Sequence, residues 1–199
     1  MSVSRIVIKL GGSVLYSHPS WIERLKQTIA PYGSDAISII VGGGDVVEGV
    51  RTLHKLYPHL EQSSLHWNCV SLLDSTCEIA HQLLPLDGII ETDKAFDLWS
   101  RTPSRNAKWV NVASFYSRER LNGIPLEWHP ALNWNTTTDA LAVLLALQWQ
   151  ASQVILLKSC DINQDWSLEQ AAALGVIDSE TPRLAKLLSP GSVRLVPFA

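Results

Sequence analysis

Short apolar runs alternate along the chain with longer segments in which apolar residues recur at helical spacing. The runs at residues 6–8, 36–41 and 154–157 consist largely of Ile, Val and Leu, as in strands buried on both faces of a parallel sheet. Further strands are predicted at residues 88–91, 109–113 and 193–196. Helices are predicted at residues 21–30, 61–84, 138–150, 167–174 and 181–188. A further helix is predicted to begin after the glycines at 42–44 and to end before Pro58. The alternation indicates an α/β chain.

A lysine and two glycines close the first apolar run. Lys9 interrupts the run where the predicted strand should end, and Gly11, Gly12 and Ser13 follow. Consecutive glycines let the backbone approach a ligand closely and point several N–H groups one way. An ammonium group beside such amides suits a phosphate. The alternative is an ordinary strand followed by a Gly-Gly turn.

A second glycine cluster follows the run at residues 36–41. Gly42, Gly43 and Gly44 precede a predicted helix for which we expect Asp45 to be the N-cap, so that the positive end of the helix faces the glycines. The two clusters are about 30 residues apart, as in one βαβ unit. Two such anion sites suggest a phosphate donor and an acceptor. Neither cluster is a Walker A loop or a Gly-x-Gly-x-x-Gly motif.

A third motif supplies a family resemblance. Trp134-Asn-Thr-Thr-Thr-Asp-Ala-Leu-Ala142 resembles the Trp-Asp-x-Thr-Ser-Asp-x-x-Ala signature of small members of the amino acid kinase superfamily. The Lys9-x-Gly-Gly-Ser and Gly-Gly-Gly elements precede it in the superfamily's order, and the apolar run at 154–157 follows it. The resemblance covers nearly the whole chain and implies a three-layer αβα sandwich with a mostly parallel central sheet.

The resemblance also implies roles for individual residues in ATP-dependent phosphoryl transfer. Lys9 would lie against the transferring group, and Asp139 would orient Lys9 and Lys158. The residues expected at the ATP phosphates are Lys9, Gly11, Gly12, Ser13, Thr138 and Asp161, and those expected at the acceptor are Gly42, Gly43, Gly44, Thr137 and Arg101. Magnesium would be held mainly by ATP oxygens and water, since no carboxylate cluster is evident.

Several of these residues have a structural alternative. Residues 136–138 supply an N-cap, so Asp139 lies in a first helical turn, where an aspartate is favoured without any catalytic role. Arg101 lies in residues 92–108, whose scattered basic residues predict a solvated face or a mobile loop, although the matching region of the superfamily borders the acceptor. His66 lies on the face of a predicted helix, where a histidine usually has a structural and not a functional role.

The last third of the chain departs from the superfamily pattern. Many relatives have Thr-Asp-Val-Asp-Gly after the strand, whereas this chain has Lys158-Ser-Cys-Asp-Ile162, which keeps Asp161 but loses the glycine. The later Gly-Met-x-x-Lys segment, whose lysine reaches the nucleotide phosphates in relatives, is absent. Lys158 could supply that charge or could be a surface lysine at a strand end.

These motifs favour a small-molecule kinase that uses ATP and Mg²⁺. The chain most resembles a small branch that includes the aminomethylfuranyl-methyl phosphate kinase of methanofuran biosynthesis and homologues in tetrahydromethanopterin-dependent C1 metabolism, in which a phosphomonoester becomes a diphosphate. Acetylglutamate, aspartate, uridylate and isopentenyl phosphate are competing acceptors, the first two through a carboxylate. The alternative class is a protein that binds a nucleotide or another oxyanion without turnover.

Composition limits the partners and the location. A formal charge of −3 without a basic run argues against nucleic acid, and no apolar run reaches the length of about 20 residues that a membrane helix needs. The start of the chain lacks the apolar core of a signal peptide, and its three cysteines lack metal-ligand spacing, so we expect a cytoplasmic, reduced protein. Its eight tryptophans favour a homo-oligomer. We expect a single compact domain over residues 1–199, with an acceptor lobe (1–130) and a nucleotide lobe (131–199) sharing one sheet.

Overall fold

The computed structural model describes residues 3–17 and 19–198. The strands are β1 (Arg5–Leu10), β2 (Ala36–Val41), β3 (Ile89–Ile90), β4 (Ala107–Val110), β5 (Gln153–Lys158) and β6 (Val193–Pro197). The helices are α1 (Gly12–Ser17), α2 (Trp21–Ile29), α3 (Asp45–Leu56), α4 (Gln62–Leu83), α5 (Asp93–Arg101), α6 (Arg118–Leu121), α7 (Thr138–Trp149), α8 (Leu168–Ala173) and α9 (Glu180–Ala185).

The described strands form one sheet in the order β3-β4-β2-β1-β5-β6, and every neighbouring pair is parallel. Strand β1 lies in the middle, with Lys9 opposite Ile40 on one side and Leu156 on the other. The expectation that the first strand ends at Lys9 is therefore wrong by one residue, because the ladder continues through Leu10. The predicted α/β class with a parallel sheet is confirmed.

Helices cover both faces of this sheet. Along β1, Ile6 and Ile8 belong to one buried cluster and Val7 to the other, as expected for a strand whose alternate side chains point to opposite faces. Helix α7 lies on the Val7 face against β1 and β5. It is apolar around its whole circumference, and every side chain from Thr138 to Leu147 is buried. This central helix carries Asp139 into the protein interior.

Two local expectations are wrong. Residues 93–101 form helix α5 rather than a loop, because Phe96 and Trp99 bury one side of it and Thr92 caps its start by accepting a hydrogen bond from Ala95 N. The fourth strand ends at Val110, since the Asn111 side chain caps a 3₁₀ turn that begins at the next residue. Among the described residues, no helix is both long and apolar enough to cross a lipid bilayer.

Candidate active site

The carboxyl ends of β1, β2 and β5 meet at one edge of the sheet, where open parallel sheets bind ligands. The glycine loop after β1 and the glycine loop after β2 lie side by side at this edge. A Cβ on Gly12 would lie 2.0 Å from the backbone nitrogen of Gly44, and one on Gly42 would lie 2.7 Å from that of Gly12. These glycines are therefore required by the contact between the two loops, whatever they bind.

Helix α3 begins one residue earlier than expected. Asp45 is its first helical residue, and Gly44 occupies the N-cap position with φ of +53°, a backbone conformation that favours glycine. The N-cap prediction for Asp45 is therefore wrong, because the turn requires a positive φ. The positive end of the helix still faces the glycine loops, as the sequence predicted.

A buried cluster of three charges joins the sheet to α7. Asp139 Oδ1 lies 2.9 Å from Lys9 Nζ, and Asp139 Oδ2 accepts a hydrogen bond of 2.5 Å from Lys158 Nζ. The relative exposures of Lys9, Asp139 and Lys158 are 6%, 3% and 8%. All three side chains were predicted as catalytic, and the structure brings them together. Lys158 is therefore not a surface lysine at a strand end, because its ammonium group lies inside this cluster.

The cluster shifts the titration of its members. Burial alone raises the pKa of Asp139, but the charges of Lys9 and Lys158 outweigh it and leave the pKa below the ordinary value. Burial and the charge of Lys9 lower the pKa of Lys158, against the opposing effect of Asp139. One carboxylate between two ammonium groups leaves an excess of positive charge when both lysines are protonated, which suits a polyanion.

Asp178 fixes the start of α7 from outside. Its Oδ2 accepts hydrogen bonds from Thr137 N (2.8 Å), Thr137 Oγ1 (2.6 Å) and Ala140 N (3.2 Å), while its Oδ1 accepts from Thr181 N (2.7 Å). Thr137 caps the helix by accepting from Asp139 N at 3.3 Å. Burial, and then the charge of Asp139, raise the pKa of Asp178. Sequence reasoning missed Asp178, since no local pattern links it to a helix start some forty residues earlier.

Two cavities meet at Lys9. The first, of about 340 Å³, is lined by Lys9, by the glycines at 42–44, by Thr137 and Thr138, and by an apolar floor that includes Val70, Leu73 and Leu141. The second, of about 400 Å³, is lined by Lys9, Gly11 and Lys158, with Leu174 and Val176 opposite. Gly12 and Ser13 border both cavities. The buried side chain of Lys9 therefore borders both cavities.

An aromatic wall bounds the first cavity. Trp134 Nε1 donates a hydrogen bond of 2.8 Å to His54 Nδ1, and the Arg51 guanidinium lies 5.0 Å from the centre of the Trp134 ring. Arg51 also pairs with Glu48 at 2.5 Å. Neither Arg51 nor His54 was predicted. The i, i+4, i+7 spacing of Val47, Arg51 and His54 was the signal for one shared helix face.

His66 also borders the first cavity, and its environment fixes its protonation. Its Nε2 lies 2.8 Å from the hydroxyl of Tyr116. Burial lowers the pKa of His66 to about 4, against a raising effect from a hydrogen bond to the backbone of Asn133. The ring is therefore neutral at pH 7 and links α4 to the loop before α7. The functional alternative for His66 stays a prediction.

Two predicted residues lie apart from these cavities. Arg101 is exposed at the end of α5, and Asp161 is exposed in the loop after β5; neither lines the first or the second cavity. Basic charge at the first cavity comes from Lys9 and Arg51 instead, and Asp45 and Glu48 also line it. The described residues contain no cluster of three side chains able to hold a metal, and both Asp139 oxygens face ammonium groups. A magnesium ion would therefore depend on the oxygens of its nucleotide and on water.

Comparisons with known proteins give a structural likeness only. No protein-family model matches the chain, and no curated protein is similar to it in sequence. The UMP kinase of Ureaplasma parvum superposes with a TM-score of 0.63 at 14% identity, over 99% of this chain and 90% of that one. The uridylate kinase of Archaeoglobus fulgidus superposes with a TM-score of 0.62 at 16% identity, over 96% of this chain and 90% of that one. The UMP kinase of Bacillus anthracis superposes with a TM-score of 0.64 at 13% identity, over 100% of this chain and 88% of that one. The chain thus has the α/β fold of these UMP kinases.

Proposed function

We propose that the chain is an ATP-dependent phosphotransferase that moves the γ-phosphoryl group of ATP onto a small oxyanionic acceptor. The observation that carries this proposal is the position of Lys9. Its ammonium is held by Asp139 at the junction of two cavities, so a group passing from one cavity to the other would pass beside a fixed positive charge. The fold shared with UMP kinases supports the same reaction class.

The second cavity suits the donor. Lys158, Ser159 and residues 11–13 line it, and the hydroxyls of Ser13 and Ser159 lie 2.9 Å apart. Lys158 would neutralise ATP phosphate oxygens and replace the lysine that this chain lacks in its last third. Magnesium would enter with ATP and draw charge from the phosphates. The two-lobe division at residue 130 belongs to this proposal.

The first cavity suits the acceptor. It combines the N-terminus of α3, the glycine amides and Arg51 with an apolar floor, so an anionic group would bind near Lys9 and an apolar body beyond it. Arg101, predicted for this role, lies elsewhere, and Arg51 takes its place in the proposal.

The environment of His66 favours an acceptor that needs no general base. Its Nε2 is already engaged by the Tyr116 hydroxyl, and its low pKa makes it a weak proton acceptor. A phosphomonoester carries close to two negative charges at pH 7, since its second pKa is about 6. Its oxygen can attack without losing a proton. We therefore propose a phosphomonoester that becomes a diphosphate, with a carboxylate as the second candidate.

In the proposed reaction, an acceptor oxygen bonds to the γ-phosphorus while the bond from that phosphorus to the β–γ bridging oxygen breaks, and ADP leaves. Charge spreads over the transferring oxygens in such a transition state, so positioning and electrostatics dominate catalysis. Lys9 would stabilise that charge. Asp139 would hold the Lys9 ammonium in place, and Asp178 would hold the helix start that carries Asp139.

The test is ADP release from Mg-ATP with a panel of acceptors. The panel should contain UMP, isopentenyl phosphate, aminomethylfuranyl-methyl phosphate, acetylglutamate and aspartate. We expect turnover with at least one phosphomonoester and its loss in Lys9→Ala, whereas Lys26→Ala, at an exposed lysine of α2, should behave as the wild type. ATP binding without ADP release for any acceptor would instead support a non-catalytic oxyanion-binding protein.

A further inference from the structure

The loop before α7, residues 129–137, forms part of the wall of the first cavity. Its members Asn133, Trp134, Thr136 and Thr137 line that cavity, yet no residue of this loop belongs to a helix or a strand. An irregular segment lacks the repeating backbone hydrogen bonds of helices and strands, so its main-chain polar groups need other partners. The shape of this wall therefore depends on side chains that lie outside the loop.

Arg183 of α9 binds the start of the loop. Its Nη1 donates a hydrogen bond of 2.9 Å to the carbonyl oxygen of Glu127, and its Nη2 donates one of 2.7 Å to that of His129. A guanidinium group presents its donors in a fixed fork, so it holds two carbonyl groups at once better than an ammonium group does. Arg183 lines neither the first nor the second cavity. Any effect that it has on a ligand there is indirect.

Glu180 holds the same loop at two further points. Its Oε2 accepts a hydrogen bond of 3.3 Å from Ala131 N, and its backbone N–H donates one of 3.3 Å to Asn135 O. The same Oε2 accepts from Arg183 Nε at 2.9 Å, so each side chain fixes the other. The side chain of Glu180 is only 15% exposed, which strengthens hydrogen bonds to its charge. We call Glu180 and Arg183 the α9 clasp.

The contacts of the clasp bracket Trp134. Ala131 and Asn135 precede and follow it in the chain, and the Thr136 hydroxyl closes the loop by donating to Ala131 O at 2.6 Å. On the cavity side, the Trp134 indole donates to His54 Nδ1 at 2.8 Å. Trp134 is thus held from two directions, by His54 through its side chain and by the clasp through its backbone.

We propose that Glu180 and Arg183 are positioning residues of the first cavity, which fix Trp134 through the loop and touch no ligand themselves. Of the described residues that line the second cavity, none belongs to residues 129–137. Loosening the loop should therefore weaken binding of the acceptor and leave binding of the donor unchanged. The part that concerns the acceptor rests on the proposed function, whereas the effect on Trp134 does not.

Indole hydrogen exchange tests the positioning in the free protein. Labelling with ¹⁵N-tryptophan gives one indole N–H signal for each of the eight tryptophans, and Trp134→Phe identifies the signal of Trp134. In Arg183→Ala this N–H should exchange with solvent on the order of 10-fold faster, because local opening breaks fewer contacts. The Trp109 indole, which donates to Leu84 O at 2.8 Å in the core, is the internal control. Equal exchange of Trp134 in Arg183→Ala and the wild type would overturn the proposal.

Two further variants separate positioning from a general loss of stability. Arg183→Lys keeps the charge beside Glu180 but not the fork, so exchange of Trp134 should lie between that of the wild type and that of Arg183→Ala. Arg24→Ala, at an exposed arginine of α2, should exchange as the wild type does. If Arg183→Ala does not fold, Arg183→Lys is the test on its own, and wild-type exchange in it would overturn the proposal.

Steady-state kinetics test the consequence for the acceptor. With the best acceptor of the panel, Arg183→Ala should raise the KM for the acceptor on the order of 10-fold and change the KM for ATP by less than about 2-fold. A merely structural defect would lower kcat through the fraction of active enzyme and leave both KM values alone, which would overturn the proposal. Equal rises in both KM values would overturn it as well. A wild type without turnover for any acceptor would count against the proposed function and the acceptor role together, whereas exchange of Trp134 would still decide whether the clasp positions it.

Discussion

Lys9 on β1 and Asp139 on α7 form an ion pair of 2.9 Å at the junction of two cavities, and both side chains are almost fully buried. A buried charge is costly unless it is paired, so each residue depends on the other for its position. The pair ties the central strand of the sheet to its central helix. The proposed function and the stability of the fold therefore depend on the same contact.

Lys9→Ala should lower turnover far more than it weakens ATP binding. Removing one preorganised electrostatic group costs on the order of 10²–10³ in kcat. The lost ammonium charge stabilises mainly the transition state, in which the transferring phosphoryl group is most dissociated. Steady-state kinetics with the best acceptor of the panel would measure this split, with Lys26→Ala as the control. A near-normal kcat with only a raised KM for ATP would reduce Lys9 to a binding residue.

Asp139→Asn should lower both activity and stability. From the sequence, with Asp139 orienting the lysines and a polar residue kept at the helix start, the amide is expected to cost no more than about 1 kcal/mol of stability. The structure revises this expectation, since the amide leaves the ammonium groups of Lys9 and Lys158 without their carboxylate. Breaking a buried pair costs about 3–5 kcal/mol, reduced if Lys158 loses its proton.

Urea unfolding and kinetics together check the Asp139 prediction. As a control, Asp165→Asn changes an exposed aspartate in the loop after β5 and should alter neither the free energy of unfolding nor the activity. Normal stability of Asp139→Asn would mean that the three-charge cluster is not formed in solution.

Stability should fall as the pH drops below neutrality, in part through His66. Burial lowers the pKa of His66 to about 4, so between an unfolded value near 6.5 and pH 4 the unfolded chain binds the extra proton. The free energy of unfolding then decreases by up to about 1.4 kcal/mol per pH unit in this window and is unaffected above it. Urea unfolding from pH 7.5 to 4.5 should show a shallower slope for His66→Phe than for the wild type. His59→Phe, at an exposed histidine, should keep the wild-type slope.

The His54–Trp134 hydrogen bond should position the wall of the first cavity. His54→Leu removes the acceptor of the indole N–H and should raise the KM for the phosphate acceptor by about 2–10-fold, the scale of one net hydrogen bond. His54→Asn keeps an acceptor near Nδ1 and should recover most of the loss. Equal KM values for the two variants would show that the hydrogen bond has no role in acceptor binding.

Gly43 should prove to be a packing residue. The sequence places Gly43 at the expected acceptor site, but a Cβ on this residue would lie 2.1 Å from Val47 Cγ2 and 3.2 Å from Leu73 Cδ2. Gly43→Ala should therefore destabilise the fold by about 1–3 kcal/mol. Gly123→Ala, where the closest atom would be 3.7 Å away, should have little effect. Thermal unfolding distinguishes them, and an unchanged melting temperature for Gly43→Ala would contradict the packing role.

The sequence anticipated the architecture better than the walls of the site. An apolar run such as residues 36–41 is readily interpreted as a strand buried on both faces of a parallel sheet. The pairing of Asp139 with Lys9 was predicted from the resemblance of residues 134–142 to a superfamily motif. The contacts of Arg51, His54 and Asp178 could not be predicted, because each joins segments that are distant in the chain and no local pattern specifies the partner. Helix α5 was missed because Phe96 and Trp99 are diluted by charged neighbours. Whether Arg101 and Asp161 bind ligands remains a prediction.

The placement of β1 has a consequence for how the chain assembles during synthesis. This strand emerges first, yet its partner β5 and the carboxylate that neutralises Lys9 come from residues near 139–158. The half of the sheet formed by β1, β2, β3 and β4 can pair early, whereas the Lys9 ammonium must stay hydrated until α7 docks. Contacts of such high sequence separation form late and slow folding. The cluster of Lys9, Asp139 and Lys158 is thus completed only when most of the chain has been translated.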